Sequence, residues 1–133
     1  MTEKTLFIVK PDAVARNLVG KVISRFERKG FKILKLNMFT FTQEQAKKFY
    51  DVHKDKPFFG ELILYITSGP VVAAIIEGNN AIATTRIMIG ATKSFEAEPG
   101  SIRGDYGLGL SENIIHASDS QESFDHESRV AFE

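Results

Sequence analysis

The chain has 133 residues, enough for one domain with a hydrophobic core, and its composition is 43% hydrophobic and 26% charged, typical of a globular protein. Its 17 basic and 17 acidic residues give a net charge of zero. This argues against non-specific binding of nucleic acid, because such binding needs a basic surface. No apolar run approaches the roughly 18 residues of a membrane span, and the absence of cysteine excludes disulfides and thiolate metal sites, so we expect a cytosolic protein without membrane contact.

Apolar periodicity and breaker residues divide the chain into alternating strands and helices. Gly30 is expected to end one helix, and Thr42 with Gln45 forms a capping-box pattern at the start of another. In chain order these patterns predict a strand at 5–10, helices from Pro11 and at 17–30, a strand at 31–41, helices at 42–53 and 57–68, a strand at 71–76, a helix at 79–90, an irregular segment at 91–112, a strand at 113–118 and a helix at 118–133. This order suits a four-stranded sheet with helices packed on one face, close to the split βαβ plan. At the start of the chain an acid stands beside a lysine in place of an apolar run, so we expect no signal peptide.

Several nucleotide, metal and RNA motifs are missing. There is no G-x-x-x-x-G-K-[ST] phosphate loop, and "GDYGLGLSE" lacks the third glycine of a dinucleotide fingerprint. The three histidines lack the spacing of a zinc site. "KGFKILKL" begins like an RNA-recognition strand but places Lys32 and Ile33 where a small residue and a stacking aromatic belong.

The run "NIIHASD" places His116 in a short apolar strand. Because side chains alternate along a strand, Ile114, His116 and Ser118 should share one face. Ser118 with Gln121 forms a capping-box pattern that would hold the strand–helix corner rigid, and we count Ser118 as a supporting residue of the site. From the residues alone, a histidine in such a strand is more often a hydrogen-bonded core residue than a reactive one.

The final helix could supply a partner for this histidine. Phe124, Glu127 and Ala131 recur at helical spacing, so Glu127 lies on the inward stripe, where a carboxylate is costly without a partner. A carboxylate fixes the tautomer of an imidazole and leaves its other nitrogen able to attack phosphorus. A solvated helix face explains Glu127 equally well at this level.

Phosphoryl transfer also needs cations, because charge spreads over the phosphoryl oxygens. Lys10, Arg86 and Arg103 each stand at an element's end or beside a breaker. Each taken singly is more simply a solvated surface residue. Their spacing in sequence does not indicate whether they converge.

Taken together, the motifs resemble those of the nucleoside diphosphate kinases. "VKPDAV", "PFF", "SGPVVA", "TRIMIGAT", "PGSIRGDY" and "NIIHASD" follow in this order over nearly the whole chain, with a terminal helix after the last. The resemblance implies a ferredoxin-like βαββαβ α/β fold (an α+β sandwich), with helices packed on a four-stranded antiparallel sheet in a single domain over 1–133. It implies a ping-pong kinase in which a nucleoside triphosphate, typically ATP, phosphorylates His116 and a nucleoside diphosphate collects the group.

Further site residues follow from the resemblance by position. Glu127 would orient the imidazole, and Tyr50 would help fix the histidine–phosphate geometry. The phosphates would be held by Lys10, Arg86, Thr92 and Arg103. Lys10 and Asn113 would bind the sugar hydroxyls. The base would stack on Phe58, with Leu62 and Leu110 beside it.

The resemblance also implies a cofactor and an assembly. Mg²⁺ would bridge the nucleotide's own phosphates without a dedicated protein site. The chain would form a homo-oligomer, either a tetramer or a hexamer. Two other functions stay open: a non-catalytic nucleotide-binding module with the same pocket, and a nucleic-acid-binding domain of the same sheet topology, which the charge balance disfavours.

Overall fold

The computed structural model describes residues 2–109 and 113–133. The strands are β1 (Thr2–Val9), β2 (Lys32–Phe39), β3 (Val71–Asn79) and β4 (Ile115–Ala117). The helices are α1 (Pro11–Ala15), α2 (Val19–Lys29), α3 (Gln43–Phe49), α4 (Phe59–Ile66), α5 (Ala81–Ile89), α6 (Ile102–Tyr106) and α7 (Gln121–Ala131). None of the helices in this part of the chain has the length and hydropathy needed to cross a membrane.

The four strands form one sheet in the order β2-β3-β1-β4, and each neighbouring pair is antiparallel. This is the ferredoxin-like arrangement, so the predicted fold class is confirmed. β1 is central and pairs with β4 so that Ile8 lies opposite His116. The register therefore places His116 beside the buried half of β1.

Helices cover both faces of the sheet, and the prediction of one covered face is wrong. Side chains alternate along β1, so Phe7 and Val9 pack into a core under α2, α5 and α6, whereas Leu6 and Ile8 pack into a second core under α3, α4 and α7. Both sets are apolar and fully buried. An amphipathic helix shows that it packs on the sheet but not on which face, so the pattern could not decide this.

Two local predictions hold at the ends of helices. Gly30 ends α2 with φ of 110°, a left-handed conformation that favours glycine. Thr42 and Gln45 form a capping box at the start of α3, because the Thr42 side chain accepts from the Gln45 backbone N–H and Gln45 bonds back.

Other local predictions are wrong. The segment predicted as irregular contains α6, which Ser101 caps by accepting from the backbone N–H of Gly104. α7 is capped by Ser120 and not by Ser118. Ile114 has a positive φ of 77° and packs into the same core as Ile115, instead of sharing the face of His116.

Candidate active site

One open cleft of about 1340 Å³ lies where β4, α5 and α7 meet the segment that joins α3 to α4. The predicted site residues that line it are Lys10, Tyr50, Phe58, Leu62, Arg86, Thr92, Arg103, Asn113, His116 and Glu127. Ser118 is buried beneath the cleft. Leu110, predicted beside the base, lies outside the described residues. The structure therefore brings together side chains that stand far apart in the sequence.

His116 stands in the wall of this cleft with its side chain 22% exposed. Strand pairing fixes its backbone, and two aromatic rings present their edges or faces to the imidazole. The ring centroids of Phe49 and Tyr50 lie 5.2 and 6.0 Å from that of His116, at interplanar angles of 69° and 77°. The ring is thus held in place yet open to a ligand, which a core histidine would not be.

Glu127 holds one nitrogen of this imidazole. The Glu127 Oε1 atom lies 2.9 Å from His116 Nε2 and accepts a second hydrogen bond, 2.8 Å long, from Ser118 Oγ. Because a carboxylate oxygen accepts and does not donate, Nε2 carries the proton in this contact. In a neutral imidazole Nδ1 then keeps its lone pair. Ser118, predicted as a helix cap, acts instead as a donor to Glu127.

Three cationic side chains crowd the same cleft. Burial, and next the charge of Arg103, lower the pKa of Lys10 to about 7, with the charge of Asp12 opposing them. Burial, and next the charge of Arg86, lower the pKa of Arg103 to about 10. A polyanionic ligand would offset both the burial and the mutual repulsion of these cations.

Backbone carbonyls and one amide fix the positions of these cations. Arg103 donates to the carbonyls of Gly90 at 3.1 Å and Ile115 at 2.7 Å, which ties α6 to the start of β4. Lys10 Nζ donates to Asn113 Oδ1 at 2.6 Å, and Asn113 Nδ2 donates to the carbonyl of Thr92 at 2.8 Å. The cationic end of the cleft is therefore preorganised, a feature that favours electrostatic stabilisation of transferred charge.

The other end of the cleft is apolar and aromatic. Phe58 is 47% exposed, and Lys56 Nζ lies 5.7 Å from the centre of its ring. Leu62 lines the cleft nearby. An exposed ring of this kind offers a stacking surface.

Burial, and next the charge of Glu127, raise the pKa of Tyr50 well above its usual range, so its hydroxyl stays protonated. A protonated phenol can donate a hydrogen bond to an anion in the cleft.

Phe49 and His53 are among the lining residues that were not predicted, because both fit the packing stripe of a helix. The ring centroids of His53 and Phe58 lie 5.7 Å apart, and the buried Nδ1 of His53 has no hydrogen-bond partner among the described residues. Burial, followed by the charges of Lys56 and His116, lowers the pKa of His53. The sequence did offer one signal for His53: it follows Tyr50 by three residues, a spacing that places both side chains on the same face of a helix.

No group of three or more histidine, cysteine or acidic side chains in 2–109 and 113–133 is arranged to hold a metal ion. The cleft combines an oriented imidazole, preorganised cations and an exposed aromatic ring. This set can bind a phosphorylated aromatic ligand and present a nitrogen nucleophile to phosphorus.

Comparison with known proteins gives a consistent result. The family model described as nucleoside diphosphate kinase matches residues 3–133. The curated nucleoside diphosphate kinase of Picrophilus torridus is 57% identical over 130 residues, which cover 98% of this chain and 94% of that protein. The corresponding protein of Thermoplasma volcanium is 55% identical over 98% of this chain and 88% of its own length.

Solved structures agree with the sequence matches. The Aquifex aeolicus nucleoside diphosphate kinase has a TM-score of 0.97 at 48% identity, covering 100% of this chain and 96% of that one. The halophilic enzyme of Halobacterium salinarum, solved in complex with CDP, has a TM-score of 0.94 at 42% identity, covering 98% of this chain and 87% of that one.

Proposed function

The chain belongs to the nucleoside diphosphate kinase family, and we propose that it transfers the γ-phosphoryl group of a nucleoside triphosphate to a nucleoside diphosphate through His116. The observation that carries this proposal is the imidazole itself: its Nε2 is held by Glu127, and it lies in the wall of a cleft that three cations share. This arrangement leaves Nδ1 as the attacking nitrogen.

The reaction takes place in two balanced steps. The Nδ1 lone pair forms a bond to the γ-phosphorus, the bond from phosphorus to the β,γ-bridging oxygen breaks, and the diphosphate leaves with that electron pair. A terminal oxygen of a second diphosphate then attacks the same phosphorus, and the P–N bond breaks to return the lone pair to Nδ1. Glu127 stabilises the positive charge that the imidazole gains while it is phosphorylated.

The remaining lining residues divide between phosphates, sugar and base. We assign the phosphates to Lys10, Arg86, Thr92 and Arg103. Lys10 and Asn113, already hydrogen-bonded to each other, have donors for the sugar hydroxyls. Tyr50 keeps the phosphoryl group aligned with His116. That a Halobacterium salinarum relative binds CDP supports a diphosphate in this cleft.

Base recognition by stacking predicts the use of several different nucleotides. Phe58 offers an exposed ring with Leu62 beside it, and we place Leu110 there by resemblance alone. Every base has a π face, so stacking accepts purines and pyrimidines alike. We therefore propose ATP and other nucleoside di- and triphosphates as substrates, with no specific nucleic acid among the ligands.

We propose Mg²⁺ as the cofactor, bound through the phosphates of the nucleotide. The donor set fits this role: the phosphate end of the cleft is lined by cations and amide groups, and Mg²⁺ needs only phosphate oxygens and water as ligands. When bound, it neutralises charge on the phosphates during transfer. Lys10, Arg86 and Arg103 hold the phosphates that carry it.

We propose that the protein forms a homo-oligomer, either a tetramer or a hexamer. β2 pairs only with β3 within the described sheet, so its other edge carries unpaired backbone groups. Leu36 and Met38 on this strand are 52% and 57% exposed. Exposed apolar side chains on a free strand edge are typical of a self-association surface. The change Leu36→Lys should lower the mass measured by sedimentation, and an unchanged mass would contradict this interface.

We also propose that residues 1–133 form one domain that works in the cytosol. The single sheet and the family match over 3–133 support one domain. A chain without cysteine needs no oxidising compartment, and this supports the cytosol.

The test is a label-transfer experiment with purified protein. It is mixed with γ-labelled ATP and Mg²⁺, freed of nucleotide, and chased with GDP. We expect an acid-labile phosphoprotein whose label moves to GTP, and no label on the folded His116→Ala variant. Nucleotide binding without labelled protein would instead support a non-catalytic binding module.

A further inference from the structure

The backbone makes a strained turn just before the histidine strand. Ile115 N donates to the carbonyl of Asn113, two residues earlier, at 2.9 Å, and Ile114 between them has φ of 77°. This is a γ-turn of the rare form with positive φ at its centre. The other two non-glycine residues with positive φ in the described chain are asparagines, which tolerate it, whereas a β-branched isoleucine does not.

Such strain persists only where neighbouring groups hold it. Asp12 Oδ2 accepts a hydrogen bond of 3.3 Å from Ile114 N, and the Lys10 backbone N–H donates to the Ile114 carbonyl at 2.8 Å. Arg103 donates to the carbonyls of Asn113 and Ile115 on either side. Asp12 is thus the side-chain acceptor for the N–H of the strained residue itself.

Asp12 also connects this turn to α4. Its Oδ1 accepts a short hydrogen bond from the hydroxyl of Tyr65 on α4, and that hydroxyl accepts from the Asp12 backbone N–H at 3.3 Å. α4 begins directly after Phe58, the proposed stacking residue. One carboxylate therefore ties together the helix that follows the base-stacking residue and the turn that precedes the phosphate carrier.

We propose that Asp12 is a positioning residue for phosphoryl transfer: its carboxylate holds Ile114 in the γ-turn and so sets Asn113 and His116 in their places in the cleft. The inference rests on the proposed phosphohistidine reaction. If Ile114 relaxed to a negative φ, the chain would leave the turn in another direction. Asn113 could not then keep its bonds to Lys10 and Thr92 while β4 stayed paired with β1.

The test varies the backbone strain at residue 114 by substitution. Ile114→Ala and Ile114→Gly remove nearly the same side chain, but only glycine adopts the positive φ freely, which makes them a matched pair. The Asp12→Ala substitution is made in three proteins: the wild type, the Ile114→Ala variant and the Ile114→Gly variant. Two quantities are measured in each: the single-turnover rate of phosphoenzyme formation from γ-labelled ATP and the midpoint of urea unfolding.

We expect Asp12→Ala to slow phosphorylation about 10- to 100-fold in the wild-type and Ile114→Ala backgrounds and less than about 3-fold with Ile114→Gly, the range typical of lost supporting contacts. Asp12→Ala should likewise lower the midpoint of urea unfolding less in the Ile114→Gly variant than in the other two proteins. Equal losses in both backgrounds would overturn the proposal. Loss of the Asp12 charge acts on Lys10 whichever residue stands at position 114. A smaller rate loss in the Ile114→Gly variant therefore reports the positioning role of Asp12 and not its charge.

Other outcomes also decide the question. If the residue 114 variants do not fold, the single Asp12 variants are sufficient: a folded Asp12→Ala protein that phosphorylates within about twofold of wild type overturns the proposal, and a slow one whose rate Asp12→Asn partly restores supports it. A wild-type protein that forms no phosphoenzyme would instead remove the proposed function, and the unfolding midpoints would still test whether Asp12 holds the turn.

Discussion

Glu127 is the residue whose replacement tests the histidine chemistry most finely. Its Oε1 atom accepts from both His116 Nε2 and Ser118 Oγ, and its side chain is only 11% exposed. Glu127→Gln keeps the shape and a carbonyl acceptor but removes the charge. Glu127→Ala removes the acceptor as well. The pair therefore separates orientation of the imidazole from stabilisation of its positive charge.

The expected magnitudes follow from the hydrogen bonds that are lost. A bond to a charged group contributes about 1.5–3 kcal/mol and a neutral one about 0.5–1.5 kcal/mol, so Glu127→Gln should cost about 1.4 kcal/mol, or roughly tenfold in rate. Glu127→Ala should cost about 2–3 kcal/mol, or roughly 30- to 150-fold. Both variants should still form phosphohistidine, because the attacking lone pair on His116 remains.

The alanine variant should also lose stability. It leaves the fully buried Ser118 hydroxyl without its acceptor, which costs about 1–3 kcal/mol. The glutamine variant keeps an acceptor and should lose less. Urea unfolding of both proteins measures this difference, and it shows whether a rate loss reflects chemistry or unfolding.

The assay is the single-turnover rate of His116 phosphorylation at saturating γ-labelled ATP and Mg²⁺, on protein shown to be folded. Glu44→Gln is the control, since Glu44 is an exposed acid on α3 away from the cleft. A folded Glu127→Ala protein that phosphorylates within about twofold of wild type would refute the reasoning, because Glu127 would then neither orient nor stabilise the ring.

Three further predictions concern Lys10, Ser118 and Phe58. The folded-state pKa of Lys10 is about 7, so between about pH 7 and 10 the unfolded chain binds a proton that the folded protein has lost. The free energy of unfolding should rise with pH in this window by up to about 1.4 kcal/mol per unit, and urea unfolding of Lys10→Met should lack that rise. Ser118→Ala should slow phosphorylation only about 2- to 5-fold, measured in the same single-turnover assay, because Glu127 keeps its contact with the histidine. Phe58→Ala should raise KM about 5- to 30-fold for ADP, GDP and CDP alike with little change in kcat, since stacking contributes about 1–2 kcal/mol for any base; a strong loss for one base alone would contradict stacking.

Features set by neighbouring residues were predictable from the sequence. The capping box of Thr42 needs only a partner three residues later, and Gly30 ends its helix because glycine adopts positive φ at little cost. The apolar run at 71–76 predicted a strand, and the side chains of β3 pack into the two cores. In each case the cause and the effect lie within one element.

Features set by tertiary contacts were not predictable in this way. Ser118 and Ser120 both have the pattern of a cap, and the contact with Glu127 on the next helix decides between them. Ile114 carries no turn signal, and the groups that hold its positive φ come from distant parts of the chain. α6 has only five residues, too few for a periodic pattern.

The site residues also divide into those that a local pattern predicted and those that tertiary contacts bring together. Alternation along the strand placed His116 apart from Ile115 and Ala117, as the structure has it. The convergence of Lys10, Arg86 and Arg103 on the same cleft follows from the fold, because Lys10 precedes α1 whereas the two arginines lie on α5 and α6. The resemblance to a family therefore predicted which residues meet, and residue spacing alone did not.

The most direct measurement is to locate the phosphoryl group on the isolated phosphoenzyme by ³¹P NMR at alkaline pH, where phosphohistidine persists. The contact between Glu127 and Nε2 predicts phosphate on Nδ1 of His116. Phosphate on Nε2, on another residue, or on no residue of an active preparation would contradict the mechanism.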